Sequence, residues 1–370
     1  MLNEPLFEAD VTRHEVARAG GADVEQLAAA HDRGAALEAM GRGASEIVRQ
    51  LHAEGRLDGI AGLGGTGGSS VATAAMRALP VGIPKLMVST VASGDTRLYV
   101  GATDVTMMYS VADIAGLNRI SARILSNAAA AIAGMAGSPD PVRGDTTPLV
   151  GASMFGITTP CVTKARERLE ELGYEVLVFH QTGTGGRSLE ELVGAGLVTA
   201  VLDVTITELV DELVGGVWPA SSDRMETAGR LGIPQVVSVG ALDFICMGPK
   251  ETIPDRFSHR TFYVHTPEMT GMRSSADECA QLGKTIARKL NAARGPTALF
   301  LPLRGISLLA TDGQPFHDAA ADEALFEALR ANVNSSRIEV REFELDINHP
   351  EFALAMADRL HEFYEEWKGT

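Results

Sequence analysis

Glycine-rich stretches carry the clearest chemical signal in this sequence. Gly64-Gly65-Thr66-Gly67-Gly68 follows an apolar run and precedes a helical one, and so does Thr182-Gly183-Thr184-Gly185-Gly186. Glycine lets the backbone turn sharply and come close to an anion, and the following helix adds free N–H groups and its positive dipole end. Thr66, Ser69, Thr182 and Thr184 supply hydroxyl donors. The chemistry this pattern serves is phosphate binding. Ordinary tight strand-to-helix turns use the same glycines, but two Gly-Thr-Gly-Gly copies in matching contexts weigh against that reading.

Which nucleotide the loops suit follows from what is missing. Gly62, Gly64 and Gly67 spell G-x-G-x-x-G, but a dinucleotide site needs an acidic residue at the end of the next strand to hold the ribose. That strand ends Val88-Ser89-Thr90, with no Asp or Glu until Asp95. A Walker loop needs Gly-Lys-Ser/Thr after its glycines; neither loop has the lysine, and Arg187 follows the second. No catalytic constellation accompanies them. Ser153, Ser238 and Ser307 lie outside G-x-S-x-G elbows, and His180, ending an apolar strand, reads first as a core histidine bonded to backbone. His265, His317, Asp318, Asp203, Asp243 and Asp312 are acid/base or metal candidates whose spacing fits no metal motif. Asp104 and Asp113 read as turn or helix caps.

The elements that position these loops alternate. Strands are predicted at Gly59–Leu63, Lys85–Thr90, Val105–Val111, Leu149–Phe155, Glu175–His180, Ala200–Val204, Gln235–Val239, Ala298–Leu301 and Arg337–Phe343. Helices are predicted at Leu37–Leu51, Ser70–Leu79, Ser121–Met135, Val162–Leu172, Ala276–Leu290, Ala319–Ala331 and Pro350–Trp367, with another opening on a Ser188/Glu191 capping box. Strand–helix alternation means parallel pairing, so the chemistry falls at the carboxyl ends of strands. The loops there are Gly62–Gly68, Gly156–Thr159, Gln181–Gly186, Asp203–Thr205 and Gly240–Asp243. Gly137–Pro148, rich in Gly, Pro, Asp and Thr, reads as a linker. The expected architecture is α/β, two Rossmann-like subdomains at 1–145 and 146–370 with mainly parallel sheets and a cleft between them.

Composition excludes several classes. The formal net charge is −16, and no basic stripe is present, which argues against general nucleic-acid binding. The three cysteines are far apart and unpaired in pattern, so neither a disulfide framework nor a zinc knuckle is suggested. The acidic start Met1–Pro5 has no apolar signal region, and Ala128–Ala136 is too short to span a bilayer; a cytoplasmic location with no membrane partner is expected.

Longer motifs bring a family into view. Gly62–Gly68, Pro84-Lys-Leu-Met-Val-Ser-Thr-Val-Ala-Ser-Gly94, Ser126-Asn127, Phe155-Gly-Ile-Thr-Thr-Pro-Cys-Val162, Val178–Gly186, Leu202–Thr205, Ser238–Asp243 and Leu303–Ser307 together resemble the Tm-1-like ATP-binding family, also known as UPF0261. The resemblance implies ATP bound in the cleft between two Rossmann-like subdomains, and a homodimer. By motif, Gly64, Gly65, Thr66, Gly67 and Gly68, with Thr182, Gly183, Thr184, Gly185 and Gly186, would face the phosphates. Ser89, Thr90, Ser126 and Asn127 would line the cleft from the first subdomain, and Phe155, Gly156, Thr158 and Thr159 from the second. Asp243 would sit near a metal or ribose. The family opens with a further βα unit before its Glu-Pro stretch; here Glu4-Pro5 lies beside Met1, so that unit is expected to be missing. The family commonly has Ala where Gln181 stands, and the longer side chain is expected to reshape the cleft or touch a substrate. The leading expectation is an ATP-binding protein acting on a small metabolite, with Mg²⁺ accompanying the nucleotide in an enzymatic version. The alternatives are a nucleotide-dependent interaction module without turnover, as the family's plant member suggests, and a hydrolase or lyase of an acidic metabolite.

Overall fold

Helical spacing of apolar residues and three well-placed caps shape the start of the chain. In the computed structural model, which describes residues 8–139 and 146–369, Thr12 and Glu15 form a capping box on α1 (Arg13–Ala19). Asp23 caps α2 (Val24–Ala29) and Asp32 caps α3 (Arg33–Ala53). The Leu2–Phe7 stretch and the middle of the 137–148 linker lie outside the described residues. The chain divides into two compact units, Met1–Gly144 and Asp145–Thr370. The architecture is mixed α/β with mainly parallel sheets.

In the first unit β1 (Ile60–Gly64), α4 (Thr66–Arg77), β2 (Lys85–Ser89), α5 (Arg97–Val100), β3 (Thr106–Tyr109) and α6 (Arg119–Ala136) follow. The three strands pair in parallel in the order β1-β2-β3. Side chains alternate across a strand, and this separates the two layers. Met87 faces α4, against which Gly62 has no room for a Cβ (2.7 Å from Ala72). Leu86 and Val88 face Ala128, Ile124, Leu125 and Ile132 of α6. Lys85 is buried, its ammonium donating to Pro80 and Ile83 carbonyls and to Asp104 at 2.6 Å. Asp104 also accepts from the Gly82 amide, so it pins the turn before β2.

The second unit runs β4 (Leu149–Met154), α7 (Thr159–Glu171), β5 (Glu175–His180), α8 (Gly185–Gly194), β6 (Ala200–Thr205), α9 (Glu208–Val214), α10 (Thr227–Leu231) and β7 (Gln235–Gly240). After these come β8 (Phe244–Met247), β9 (Phe262–Thr266), β10 (Met269–Arg273), α11 (Ala276–Asn291), β11 (Thr297–Pro302), α12 (Ala319–Asn332), β12 (Glu339–Phe343) and α13 (Pro350–Trp367). Six parallel strands pair in the order β12-β11-β7-β6-β4-β5. β6, β7 and β11 are buried along their whole length, as strands covered on both faces must be. Cys161, Leu169, Phe352 and Met356 of α7 and α13 cover one face; Ile286, Leu325 and Leu329 of α11 and α12 belong to the core that reaches Leu299 and Leu301 of β11.

Two expectations are corrected. The antiparallel sheet β8-β10-β9 goes unseen in a pattern of alternating strands and helices. Its central strand contains Gly271, where the Phe244 ring packs in the place of a Cβ, 2.2 Å away. Second, Ser188 and Glu191 do not cap a helix. α8 begins at Gly185, and the Ser188 amide already bonds to the Thr184 carbonyl, because a carboxylate described below gathers the loop amides one turn earlier.

Candidate functional site

The loop of the first unit is an open helix start. α4 begins at Thr66 with Gly65 as its N-cap and no side-chain cap. The amides of Thr66, Gly67 and Gly68 meet no acceptor among the described residues, so the helix presents orphan donors and its positive end together. Arg33 reaches over the loop: a Cβ on Gly67 would stand 3.2 Å from its guanidinium and 3.4 Å from Leu37. Arg33 has no carboxylate partner among the described residues. A cavity of about 740 Å³ lies in the α3–α4 groove, and a second of about 630 Å³ is lined by Leu27, His31, Arg33, Leu37, Gly67 and Gly68. The second is the one that meets the loop.

The neighbouring hydroxyls divide. Thr90 lies beside Gly65, its hydroxyl 3.3 Å from where a Cβ would be. Ser89 is buried and bonded to the Ser69 hydroxyl at 2.6 Å and to the Val91 amide, so it braces β2 against α4. Ser126 and Asn127 sit on the solvent side of α6, across the sheet from α4. The structure brings Thr90, and not Ser126 or Asn127, to the loop.

In the second unit the strand order reverses around β4, which has β5 on one side and β6 on the other. Ligand crevices form at such a switch point, outside the carboxyl ends of the strands. Phe155 ends β4 there, nearly buried, with His180, Trp218 and Phe244 around it at 5.4, 6.1 and 5.6 Å between ring centroids. Gly156 is exposed, with open space where a Cβ would point. Thr158 is buried, its hydroxyl paired with that of Thr205 at 2.7 Å, and the Thr159 hydroxyl donates to the Phe155 carbonyl. The α7 amide of Cys161 is taken by Asn348 at 3.2 Å. His180 is no core histidine bonded to backbone: it stands exposed at the end of β5, its imidazole making no hydrogen bond among the described residues, with partial desolvation against Phe155 lowering its pKa.

The second glycine loop is occupied by the protein itself. Glu208, fully buried at the start of α9, accepts from the Gly183 amide at 2.7 Å and the Gly186 amide at 3.2 Å. Its other oxygen is 3.4 Å from Arg224 and makes no hydrogen bond. Burial raises the Glu208 carboxyl above its ordinary value, against the pull of Arg224 and the two amides. Gly186 has no Cβ because one would lie 1.9 Å from Glu208; Gly185 has none because one would lie 1.9 Å from the His180 carbonyl. Thr182 leans on that same carbonyl and Thr184 is exposed.

Arg224 organises this end of the sheet, and no motif in the sequence marks it. It is wholly buried and grips Asp203 through two 2.6 Å bonds, with the Ser153 hydroxyl donating to the same carboxylate. It also donates to the Thr205 carbonyl and to the Gln181 amide oxygen at 3.1 Å, and it lies 3.6 Å from Glu190. Glu190 in turn accepts from the amides of Met225 and Thr227, holding Met225 at φ 68°. Gln181 is therefore fully buried with its side chain on Arg224, and the expectation that it reshapes a cleft or meets a substrate is corrected. Asp243, after β7, is fully buried as well. It accepts from Ser307 at 2.6 Å while its second oxygen has no partner, and burial raises its pKa against the nearby Arg273. Among the described residues no cluster of three or more His, Cys, Asp or Glu side chains forms a metal site, and no helix is long and apolar enough to cross a membrane.

Comparison with known proteins places the chain. Residues 1–141 match the model described as "Uncharacterised protein family (UPF0261) N-terminal domain", and residues 147–364 match its C-terminal domain. A UPF0261 protein of Clostridium tetani is 48% identical, over 99% of this chain and 91% of its own length. One from Rhizobium meliloti is 46% identical, over 95% and 87%. The ToMV resistance protein Tm-1(GCR237) of Solanum lycopersicum is 42% identical, over 88% of this chain and 44% of its own length. Among solved structures, the lac repressor dimer bound to operator and anti-inducer is similar at 13% identity and a TM-score of 0.24, over 67% of this chain and 86% of that one; so slight a likeness carries no argument. The chain belongs to the UPF0261 family.

Proposed function

Starting from that family membership, we propose that the protein binds a nucleotide, ATP in particular, with its phosphates seated on the amides of Thr66, Gly67 and Gly68. One observation carries the reading. These amides open a 12-residue helix without a cap and border a cavity of about 630 Å³, within the size range of small-molecule sites. The corresponding groups of the second unit support it by contrast, since Glu208 takes two amides of the Gly183–Gly186 loop and Asn348 takes one at the start of α7. Thr66 and Thr90 add hydroxyls and Arg33 adds a planar cation suited to phosphate. Leu27, Ala28, Ala36 and Leu37 offer apolar surface to a nucleoside. The absence of an acid at the end of β2 favours ATP over a nicotinamide dinucleotide. The reading takes the chain as a cytoplasmic homodimer, for which the solvent-facing Ala129, Ala130, Ala133 and Gly134 of α6 offer a close-packing surface.

A second reading, an interaction module that binds nucleotide without turnover, draws on the tomato relative's name and on exposed apolar residues. Leu98, Leu117 and Val111 are 88%, 77% and 61% exposed, apolar side chains that a partner could cover. Calorimetry with ATP, ADP and NAD tests the first claim. ATP should bind, and Gly67→Val should weaken it about tenfold or more at unchanged thermal stability, because the atoms nearest the added Cβ are the flexible ends of Arg33 and Leu37. Equal ATP affinity in wild type and variant would overturn the site. ATP turnover in the presence of pooled carboxylic acids separates enzyme from module.

A further inference from the structure

Basic side chains converge at the end of the second unit's sheet opposite the Gly183–Gly186 loop. Arg230 comes from α10, Arg288 and Lys289 from the last turn of α11, and Arg294 from the turn entering β11. Together with Glu226 they line a cavity of about 330 Å³. The Arg294 amide bonds to the Gly229 carbonyl at 2.9 Å, which fixes that turn against α10.

This grouping gathers cations without carboxylate partners in an acidic chain. The chain carries a net −16 charge, and arginines such as Arg42, Arg330 and Arg359 each hold a carboxylate at 2.6 Å. Arg230, Arg288 and Arg294 hold none among the described residues; the one side-chain bond among them runs from Arg230 to the Thr227 hydroxyl at 3.3 Å. Glu226 is spent on Lys289, which it holds at 2.7 Å, so one carboxylate faces four cations. Cations in the last turn of a helix complement its dipole, and that accounts for Arg288 and Lys289. The same holds for Arg230 in the last turn of α10; it does not account for Arg294, which arrives from the turn entering β11 and repels the other three. A separate adjoining cavity of about 230 Å³ shares Arg288 and Lys289 and is lined also by Glu212 and by Ser221, whose buried hydroxyl has no partner.

We propose that the cavity of about 330 Å³ is a binding site for a small multivalent oxyanion, a free polyphosphate or polycarboxylate, held by the guanidinium groups of Arg230, Arg288 and Arg294 with Lys289 beside them. Guanidinium forks match phosphate and carboxylate oxygens two at a time, and several around one small cavity select for more than one negative charge. The site lies at the amino-terminal ends of β7 and β11 and is independent of the proposed nucleotide site in the other unit.

The test uses the full chain with pyrophosphate, citrate and sodium chloride at matched ionic strength, read by calorimetry and thermal melting. Wild type and Gly67→Val should both bind pyrophosphate or citrate beyond the chloride effect, the arm that binds naming the oxyanion class. The double variant Arg230→Ala/Arg294→Ala should lose about tenfold or more in affinity, and without anion it should melt no lower than wild type because like charges have been removed. The proposal is overturned if neither anion exceeds the chloride effect or the double variant binds as wild type does. It is equally overturned if Gly67→Val abolishes binding, or if the unliganded double variant melts lower.

Discussion

Removing Arg224 should cost the second unit a large part of its stability, and the geometry says how much. In Arg224→Met the side-chain volume is roughly kept, but Asp203 loses two 2.6 Å bonds, Gln181 and the Thr205 carbonyl lose their donor, and Glu208 and Glu190 lose their cation. Breaking a buried ion pair from one side costs about 3–5 kcal/mol, chiefly because the remaining charge is stranded. That is a large share of the roughly 5–15 kcal/mol by which domains are stable. Urea unfolding followed by tryptophan fluorescence isolates the effect, since the chain's two tryptophans, Trp218 and Trp367, both lie in this unit. The pH dependence has a definite sign. Stranded carboxyls have folded pKa values above their unfolded ones, as burial already imposes on Glu208, so the native state binds more protons and the penalty shrinks as pH falls. The loss should therefore be smaller at pH 5 than at pH 8, with Arg224→Lys intermediate because it keeps the charge and loses the fork. A loss below about 1 kcal/mol at pH 8, equal at pH 5, would refute the reasoning.

Three other substitutions probe the same region. Gly186→Ala places a methyl 1.9 Å from Glu208 and 2.7 Å from Arg224 and should cost about 1–3 kcal/mol. Gly156→Ala meets nothing within 4 Å and should be neutral or slightly stabilising, by up to about 1 kcal/mol; equal unfolding midpoints for the two would contradict the packing described. Asp211 clamps the Trp218 loop to β8 by accepting from the Trp218 and Cys246 amides at 2.9 and 2.7 Å, while burial lifts its pKa to about 7. Its folded pKa exceeds its unfolded one, so its contribution to stability is full below the unfolded value, about 4, and is lost as pH rises through about 7. Asp211→Asn should flatten the fall in stability between pH 4 and 8, measured by urea titration; an unchanged slope would remove Asp211 as its source. Asp322, lifted to about 6 beside Arg273, and Glu208 and Asp243 shift in the same sense, so a residual slope of the same sign is expected.

Periodicity and punctuation made most of the framework legible. The apolar run predicts β5 at Glu175–His180 and the 3.6-residue repeat predicts α13 at Pro350–Trp367, and both have those bounds. Such elements are legible because side-chain alternation and helical spacing are local consequences of which face is buried. The family is legible too, carried by motifs that run the length of the chain. The glycine loops mark the limit of that reading. Both are written Gly-Thr-Gly-Gly, yet Gly65 has φ −86° and precedes a helix from Thr66, whereas Gly183 has φ 78° and the helix starts at Gly185. The difference comes from residues far along the chain: the Trp218 backbone packs on Gly183, and Glu208, 25 residues beyond it, claims its amide. Gln181 gives no local hint that Arg224, 43 residues away, will bury it. Local sequence specifies where a loop will turn and which donors it can offer. Whether those donors are left without an acceptor among the described residues, as in α4, or are taken by the protein's own carboxylate, as in α8, depends on long-range packing.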